Sequence, residues 1–515
     1  MAVACPSINS SQFKVRNSMF IKNYQLFNLK IKDRARSFSY HTNMNRFINT
    51  RNLGSFFLLI VLSIFVGKGL LYLVDYCKTT WHLKAIILGA VNFFMLFALI
   101  VNHEKGKRYI PYVLAIYISQ TGFNYAIKPG YYTSANEVLT FTILLIWIVR
   151  RLLVQRPSWT RLYFSRYVKF FLIVAAAGIV TAFFVFQVSP LNIFIISKSY
   201  ILYLFYLILI PDCVRSEREL QRILIFLLAV SLIPLYYAVT SSLTIDYTSY
   251  ERLTLNNWGT LNVFVGYILP VFFVSFGLLL QKGKKWQKFS ILFYMGTIVY
   301  VLLVTQTRTG WGALLAGTGF FIFMTKKKII ASFAIILIAI SIMYSPLGQH
   351  LEDVVTHRIV SETLKPDHSI RDRYSRWDAA WATAKTYPLT GSGWGGLLPF
   401  TGDGTVGDTS ISLLPLWHNS YLEILSQLGF PGLLAFLMLW GKIIKVEGTR
   451  LYHLPQSQQP TIYVGLFIAV VACLIYALAE QQFYRIETAS HTYFLSGLLL
   501  AASKVKSNMM KSPYA

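Results

Sequence analysis

Charge is scarce in this chain: only 13% of its 515 residues are Asp, Glu, Lys or Arg, about half the share of about 25% usual in soluble proteins. With 55% hydrophobic residues and a mean hydropathy of +0.51, that scarcity excludes a soluble globular enzyme and a disordered chain. Cysteine is rarer still. Cys5, Cys77, Cys213 and Cys473 stand far apart with no CxxC pair, so neither a disulfide framework nor a thiolate metal site is expected. Acidic residues number 21 against 48 Lys and Arg. No D-x-D occurs, and Asp403 and Asp408 stand isolated in a Gly-rich stretch, so no metal or other cofactor is expected.

What is present is a succession of apolar runs from residue 54 to residue 503, each near the ~20 residues a helix needs to cross a bilayer. We count 14 candidate spans, near 54–75, 84–102, 109–123, 136–150, 168–188, 192–211, 222–241, 261–281, 288–305, 310–325, 329–345, 418–441, 461–480 and 487–503. The third, fourth and tenth are short. The fold class is therefore an all-α polytopic integral membrane protein with about 12–14 transmembrane helices and one large periplasmic loop.

A net charge of +27 invites a nucleic-acid reading, but the basic residues sit in short clusters between the spans. Examples are Lys105/Lys107/Arg108, Arg150/Arg151, Lys282/Lys284/Lys285/Lys288 and Lys326/Lys327/Lys328. This is the pattern of cytoplasmic loops under the positive-inside rule, so membrane lipids and not nucleic acid are the expected surroundings. With the N-terminus inside, the cytoplasmic segments hold 33 Lys and Arg and the opposite segments about 12. The domain plan follows: 1–53 a basic cytoplasmic N-terminal tail, 54–345 transmembrane helices, 346–417 a periplasmic loop with amphipathic helices, 418–503 transmembrane helices and 504–515 a cytoplasmic tail. Residues 1–53 carry nine Lys and Arg and no apolar signal region, which argues against a secretory signal; a start at Met19 or Met44, or a transit peptide, are alternative readings of that stretch.

In the long loop Ile370, Tyr374, Trp377, Trp381 and Ala384 recur at helical spacing, with Arg371, Arg373 and Arg376 off that stripe. The pattern predicts an amphipathic surface helix over 370–385 with its aromatic stripe inward, broken by Thr390-Gly391-Ser392-Gly393-Trp394-Gly395-Gly396. Three further polar features fall on the same side of the predicted membrane: Arg252 before the span at 261, Arg308 in the turn Thr307-Arg308-Thr309-Gly310, and His418 at the start of the span after the loop. Singly, an arginine at a helix end snorkels to lipid phosphates and a histidine there is an interface residue. Three together on one face point to a functional site.

These residues carry a resemblance. His418-Asn419, nine residues, then Gly429-Phe430-Pro431-Gly432 has the form H-N-x9-G-x-x-G and resembles the signature of the O-antigen ligase/polymerase superfamily. Thr307-Arg308-Thr309-Gly310 resembles its S/T-R-x-G motif, and Arg252 followed by Gly259 and Asn262 resembles its R-x(n)-G-x-x-N motif. Arg376-Trp377-x-x-Ala380 and Pro388-Leu389-Thr390-Gly391-Ser392-Gly393 match the pattern of its periplasmic loop. The similarity spans roughly residues 250–440. Position 312 is Gly, so the Arg-x3-Leu form of some ligases is not met at Arg308.

The resemblance implies a GT-C-like glycosyltransferase in the bacterial inner membrane, its site facing the periplasm and its donor a glycan on undecaprenyl diphosphate. The acceptor would be a lipid or polysaccharide hydroxyl: ligation is favoured slightly over polymerisation, and attachment to protein comes third. The residue chemistry agrees. Guanidinium groups bind diphosphate oxygens bidentately, so Arg252 and Arg308 would hold the leaving group. His418 would accept the hydroxyl proton, and a single displacement would invert the anomeric centre. Asn262, Asn419, Arg371, Arg373 and Arg376 are the expected substrate-binding residues. The alternative is a transporter of a small anion such as bicarbonate. Against it, no pair of interrupted helices marks a midplane site, and Lys68 and Lys198 are the clearest ionisable residues inside spans.

Overall fold

The computed structural model describes residues 106–119, 135–153, 164–242, 261–281, 283–305, 307–324, 368–396, 418–454 and 461–511. The chain divides into two units, Met1–Gly89 and Ala90–Ala515, and every described residue belongs to the second. The spans expected at 54–75, 84–102 and 329–345 lie outside the described residues. The other eleven coincide with helices.

In chain order these are α1 (Ile110–Ser119), α2 (Ala135–Leu153), α3 (Ser165–Phe184), α4 (Pro190–Leu202), α5 (Tyr206–Cys213), α6 (Glu217–Ser242), α7 (Leu261–Leu279), α8 (Lys285–Val304), α9 (Arg308–Met324), α10 (His368–Thr386), α11 (Ser420–His453), α12 (Thr461–Tyr476) and α13 (Ile486–Lys511). A 3₁₀ turn, Tyr203–Phe205, joins α4 to α5, so a single predicted span covers both. No strand occurs among the described residues. Six stretches are long and apolar enough to cross a membrane: α3, Pro190–Cys213, α6, α7, α8 and α11. The protein is an all-α polytopic membrane protein.

The helix starts follow local chemistry. Ser189 Oγ accepts the Asn192 N–H at 3.3 Å with Pro190 in the first turn of α4, a standard start. Ser216 Oγ accepts from Glu219 N at 3.2 Å, opening α6. Short connectors, 185–189 and 214–216, join α3 to α4 and α5 to α6.

The outer helices present apolar side chains outward. Ile173, Phe184, Ile225, Phe289, Phe293 and Phe323 are all exposed, which in water would be a large unfavourable patch and in a bilayer is the lipid-facing surface. α7 is the opposite case, buried at every residue from Val263 to Leu278. It lies against α12 through two glycines: a Cβ on Gly277 would stand 3.0 Å from Gly465 Cα. Small residues let backbones approach in this way, which is how helices associate where the solvent is itself apolar.

The basic end of the bundle is clamped by polar contacts. Glu447 of α11 is fully buried, bonded by the Tyr463 hydroxyl and by Arg450 at 3.0 Å. Lys504 Nζ donates to Pro211 O at 2.9 Å, and Lys107 pairs with Asp212 at 3.7 Å. α11 runs beyond the expected boundary near residue 441, to His453, because its polar last turns are held here.

Candidate active site

The opposite helix ends gather most of the expected site residues. α11 starts at the H-N pair. His418 has φ +50, in the left-handed region that histidine visits more often than most residues. Asn419 is extended at φ −161, and its Oδ1 accepts the N–H groups of Tyr421 at 2.9 Å and Leu422 at 3.1 Å. The asparagine of the motif is thus the N-cap of α11, and the sharp turn before it projects His418 off the helix axis. Asn419 was expected to bind substrate; its carboxamide oxygen serves the helix.

The glycines of the motif are the other half of that design. α11 breaks at Gly429, φ 65 and ψ −168, about 16 Å along the axis from His418. There Phe430 N donates to Pro388 O at 2.8 Å, and a Cβ on Gly429 would stand 2.5 Å from that oxygen. The turn after α10 plugs into this break. Ser392 N donates to Ser426 O at 2.9 Å, Gly391 at φ +59 lies against the Gln427 backbone, and the fully buried Trp394 indole donates to Ala175 O of α3 at 2.9 Å. The Gly-rich motifs at 388–396 and 429–432 are therefore two sides of one joint that seats α10.

α10 spans His368–Thr386, close to the expected 370–385. Its buried face is Ala380, Thr383 and Ala384, while Tyr374 and Trp381 are exposed. This corrects the inward aromatic stripe. Small side chains let α10 approach the bundle closely, and the larger rings turn outward, Trp381 meeting Phe430 edge-on at 6.0 Å.

The centre of the site is a residue that sequence reasoning did not single out. Glu480, 6% exposed, sits in the turn between α12 and α13. Its Oε1 accepts Asn262 Nδ2 of α7 at 2.6 Å and Arg373 Nη2 of α10 at 2.9 Å. Its Oε2 lies 3.5 Å from His418 Nδ1. Arg373 Nη1 also donates to Ala479 O at 3.1 Å, and Ser420 Oγ donates to Glu480 O at 3.0 Å. One carboxylate thus joins three expected site residues from three elements. An acid-amide run, Glu480-Gln481-Gln482, between two apolar spans was the signal that could have found it.

Arg308 opens α9 and is exposed. Gly310 abuts Val265, one turn along α7 from Asn262: an added Cβ would stand 2.6 Å from Val265 Cγ1. Arg308 therefore belongs to the same end of the bundle as Glu480. Arg376, partly exposed, follows Arg373 by one turn of α10. Arg252 and the Arg371 side chain lie outside the described residues. Glu423, one turn inside α11, is fully buried beside Tyr200. Burial raises Tyr484 above the usual phenol range, Glu423 adding to the shift and Arg485 opposing it, so this hydroxyl stays a neutral donor.

Lys198, flagged as a charge inside a span, donates to Glu137 Oε2 at 2.8 Å, with both side chains buried. The pair is neutral as a unit, a structural tie between α4 and α2.

No curated protein matches the chain. Residues 291–437 match the family model described as O-antigen ligase, a segment that holds Arg308, the three loop arginines, the H-N pair and both halves of the glycine joint. Asn262 and Glu480 lie outside it. The match supports an O-antigen ligase-like membrane glycosyltransferase. Over residues 291–437 the chain is thus similar to the O-antigen ligase family.

Proposed function

We propose that this protein moves a glycan from undecaprenyl diphosphate to an acceptor hydroxyl at the periplasmic face of the bacterial inner membrane. The observation that carries the reading is the gathering of His418, Arg373 and Asn262 on Glu480, at the helix ends opposite the basic clusters. A lipid-borne donor arrives at that height in the bilayer.

In the proposed reaction the acceptor oxygen attacks the anomeric carbon as the bond from that carbon to the diphosphate oxygen breaks. The diphosphate leaves with the electron pair, and the hydroxyl proton passes to His418. Displacement from the far side inverts the anomeric centre. Arg308 and Arg252 hold the diphosphate and stabilise the charge that develops on it; Arg371 and Arg376 add contacts from the loop helix. Arg373, whose guanidinium already donates to Glu480 and Ala479, contributes to the positive field. Exposure favours His418 over Glu423 as the base, since the His418 side chain is 27% exposed and Glu423 is fully buried, out of reach of a bulky acceptor. Among acceptors, a lipid-borne hydroxyl is favoured over the end of a growing polysaccharide.

The test supplies purified protein with undecaprenyl-diphosphate-linked glycan and candidate acceptors and follows release of undecaprenyl diphosphate together with the glycan product. Transfer lost in Arg308→Ala and His418→Ala supports the reading. No donor consumption with any acceptor, alongside flux of a small anion into vesicles, would replace it with transport.

A further inference from the structure

Among the described residues Glu480 is the most heavily engaged carboxylate at this end of the bundle, and its two oxygens are used differently. Oε1 takes Asn262 and Arg373. Oε2 faces only His418 among the hydrogen bonds described. Its backbone is fixed independently: Ser420 Oγ donates to Glu480 O at 3.0 Å and accepts from Phe483 N at 3.3 Å, and Ser420 N donates to Ala477 O at 3.0 Å. The residue that follows the H-N pair therefore holds the turn that carries the carboxylate. Tyr476, one residue turn before it, donates to Asn262 O at 2.9 Å and keeps that amide in register.

A histidine acting as a base has a requirement that this arrangement meets. One ring nitrogen must carry the proton so that the other presents a lone pair, and the hydrogen bond made by the first decides which. A carboxylate at Nδ1 selects the Nδ1–H tautomer and then stabilises the imidazolium formed when Nε2 takes a proton. The separation of 3.5 Å is longer than the roughly 2.7–3.2 Å of an ordinary hydrogen bond, as catalytic contacts often are before substrate tightens a site.

We propose that Glu480 is a positioning residue for His418: Oε2 orients the ring and fixes the Nδ1–H tautomer, while Asn262 and Arg373 hold the carboxylate in place through Oε1. The proposal rests on His418 being the base. It also gives the loop helix a role in assembling the site, because Arg373 reaches Glu480 only when α10 is seated on the Gly429 joint. The groups that face Glu480 are Arg373 from α10, His418 from the start of α11, Asn262 from α7 and Tyr476 from α12; Arg485, in its own turn, acts electrostatically on Glu423, Tyr484 and Glu487.

The experiment follows release of undecaprenyl diphosphate from undecaprenyl-diphosphate-linked glycan, in membranes that hold the native acceptors, across pH. Glu480→Gln keeps an acceptor oxygen and removes the charge. It should slow transfer by about 10–100-fold and move the acidic limb of the pH–rate profile to lower pH, since the imidazolium loses its neighbouring negative charge. Glu480→Asp should recover part of both, and Glu480→Gln/His418→Ala should be no slower than His418→Ala alone, as expected of residues that act as a unit. A purely structural glutamate would lower the amount of active protein without moving the limb. Rate and limb unchanged in Glu480→Gln, or losses that multiply in the double variant, would overturn the proposal. If Glu480→Gln does not accumulate, a folded Glu480→Asp with a lowered rate and an unmoved limb overturns it equally. Normal turnover in His418→Ala sinks the base assignment itself; an inactive His418→Ala beside a normal Glu480→Gln sinks only the positioning role.

Discussion

Phe430 donates its N–H to the carbonyl of Pro388 at 2.8 Å, across the break that Gly429 makes in α11. A long membrane helix gives up its own hydrogen-bond ladder at that point and uses the freed donor to hold a loop. Gly429 is tolerable there for two reasons: its φ of 65 lies where side chains are strained, and an added Cβ would meet the Pro388 oxygen at 2.5 Å.

Gly429→Ala should therefore destabilise the protein by about 1–3 kcal/mol and unseat α10. Thermal unfolding in detergent reads the first effect. Faster proteolysis of the 387–396 turn reads the second, and an unchanged melting temperature with unchanged proteolysis would show that the joint does not depend on glycine.

Trp394→Ala removes a fully buried indole and its bond to Ala175 O. Loss of a large buried side chain costs about 3–5 kcal/mol, so the variant should accumulate poorly in membranes. Trp394→Phe should fall between the two, since it keeps most of the ring packing and loses only the donor. The amounts of folded protein, measured by fluorescence-detected gel filtration, order the three.

His418→Ala should lower transfer by about 10²–10⁴-fold with donor binding retained, and the acid side of the pH–rate profile should flatten, because no imidazole remains to be protonated. Arg308→Lys keeps the charge and loses the planar fork, so transfer should fall while binding of a monophosphate analogue is little changed. Near-normal rates in both variants would move the chemistry elsewhere.

Lys198→Met leaves Glu137 buried without its cation, a change that costs about 3–5 kcal/mol where such pairs are broken. Lys198→Met/Glu137→Leu should recover most of that loss, because both charges then leave the interior together. If the double variant melts normally yet transfers no glycan, the pair serves the reaction and is not merely a tie between helices.

Sidedness is checked with single cysteines in a background lacking the natural four. Leu389 and Tyr452 are both 75% exposed, Leu389 beside the Gly429 joint and Tyr452 in the last turns of α11. Leu389→Cys should react with a membrane-impermeant maleimide in cells whose outer membrane alone is permeabilised, and Tyr452→Cys only after lysis. The reverse pattern would invert the proposed topology.

The helices were legible because their cause is local. A run of apolar residues long enough to cross a bilayer must satisfy its backbone internally, so eleven of the expected spans coincide with helices and the basic clusters mark one set of ends. The glycine motifs were legible too, since a left-handed turn or a close backbone approach restricts the residue at that position alone. The outward rings of α10 were not. Periodicity puts Tyr374, Trp377, Trp381 and Ala384 on one stripe, but packing decided that Ala384 is buried beside Ala380 and Thr383 while Tyr374 and Trp381 face outward. Glu480 was equally hidden. Its partners lie 62, 107 and 218 residues away in sequence, and no local pattern specifies which buried carboxylate will meet which donor. That choice belongs to the tertiary structure: once helices from four parts of the chain end at one level, a buried charge must find its partners among whatever polar groups they bring.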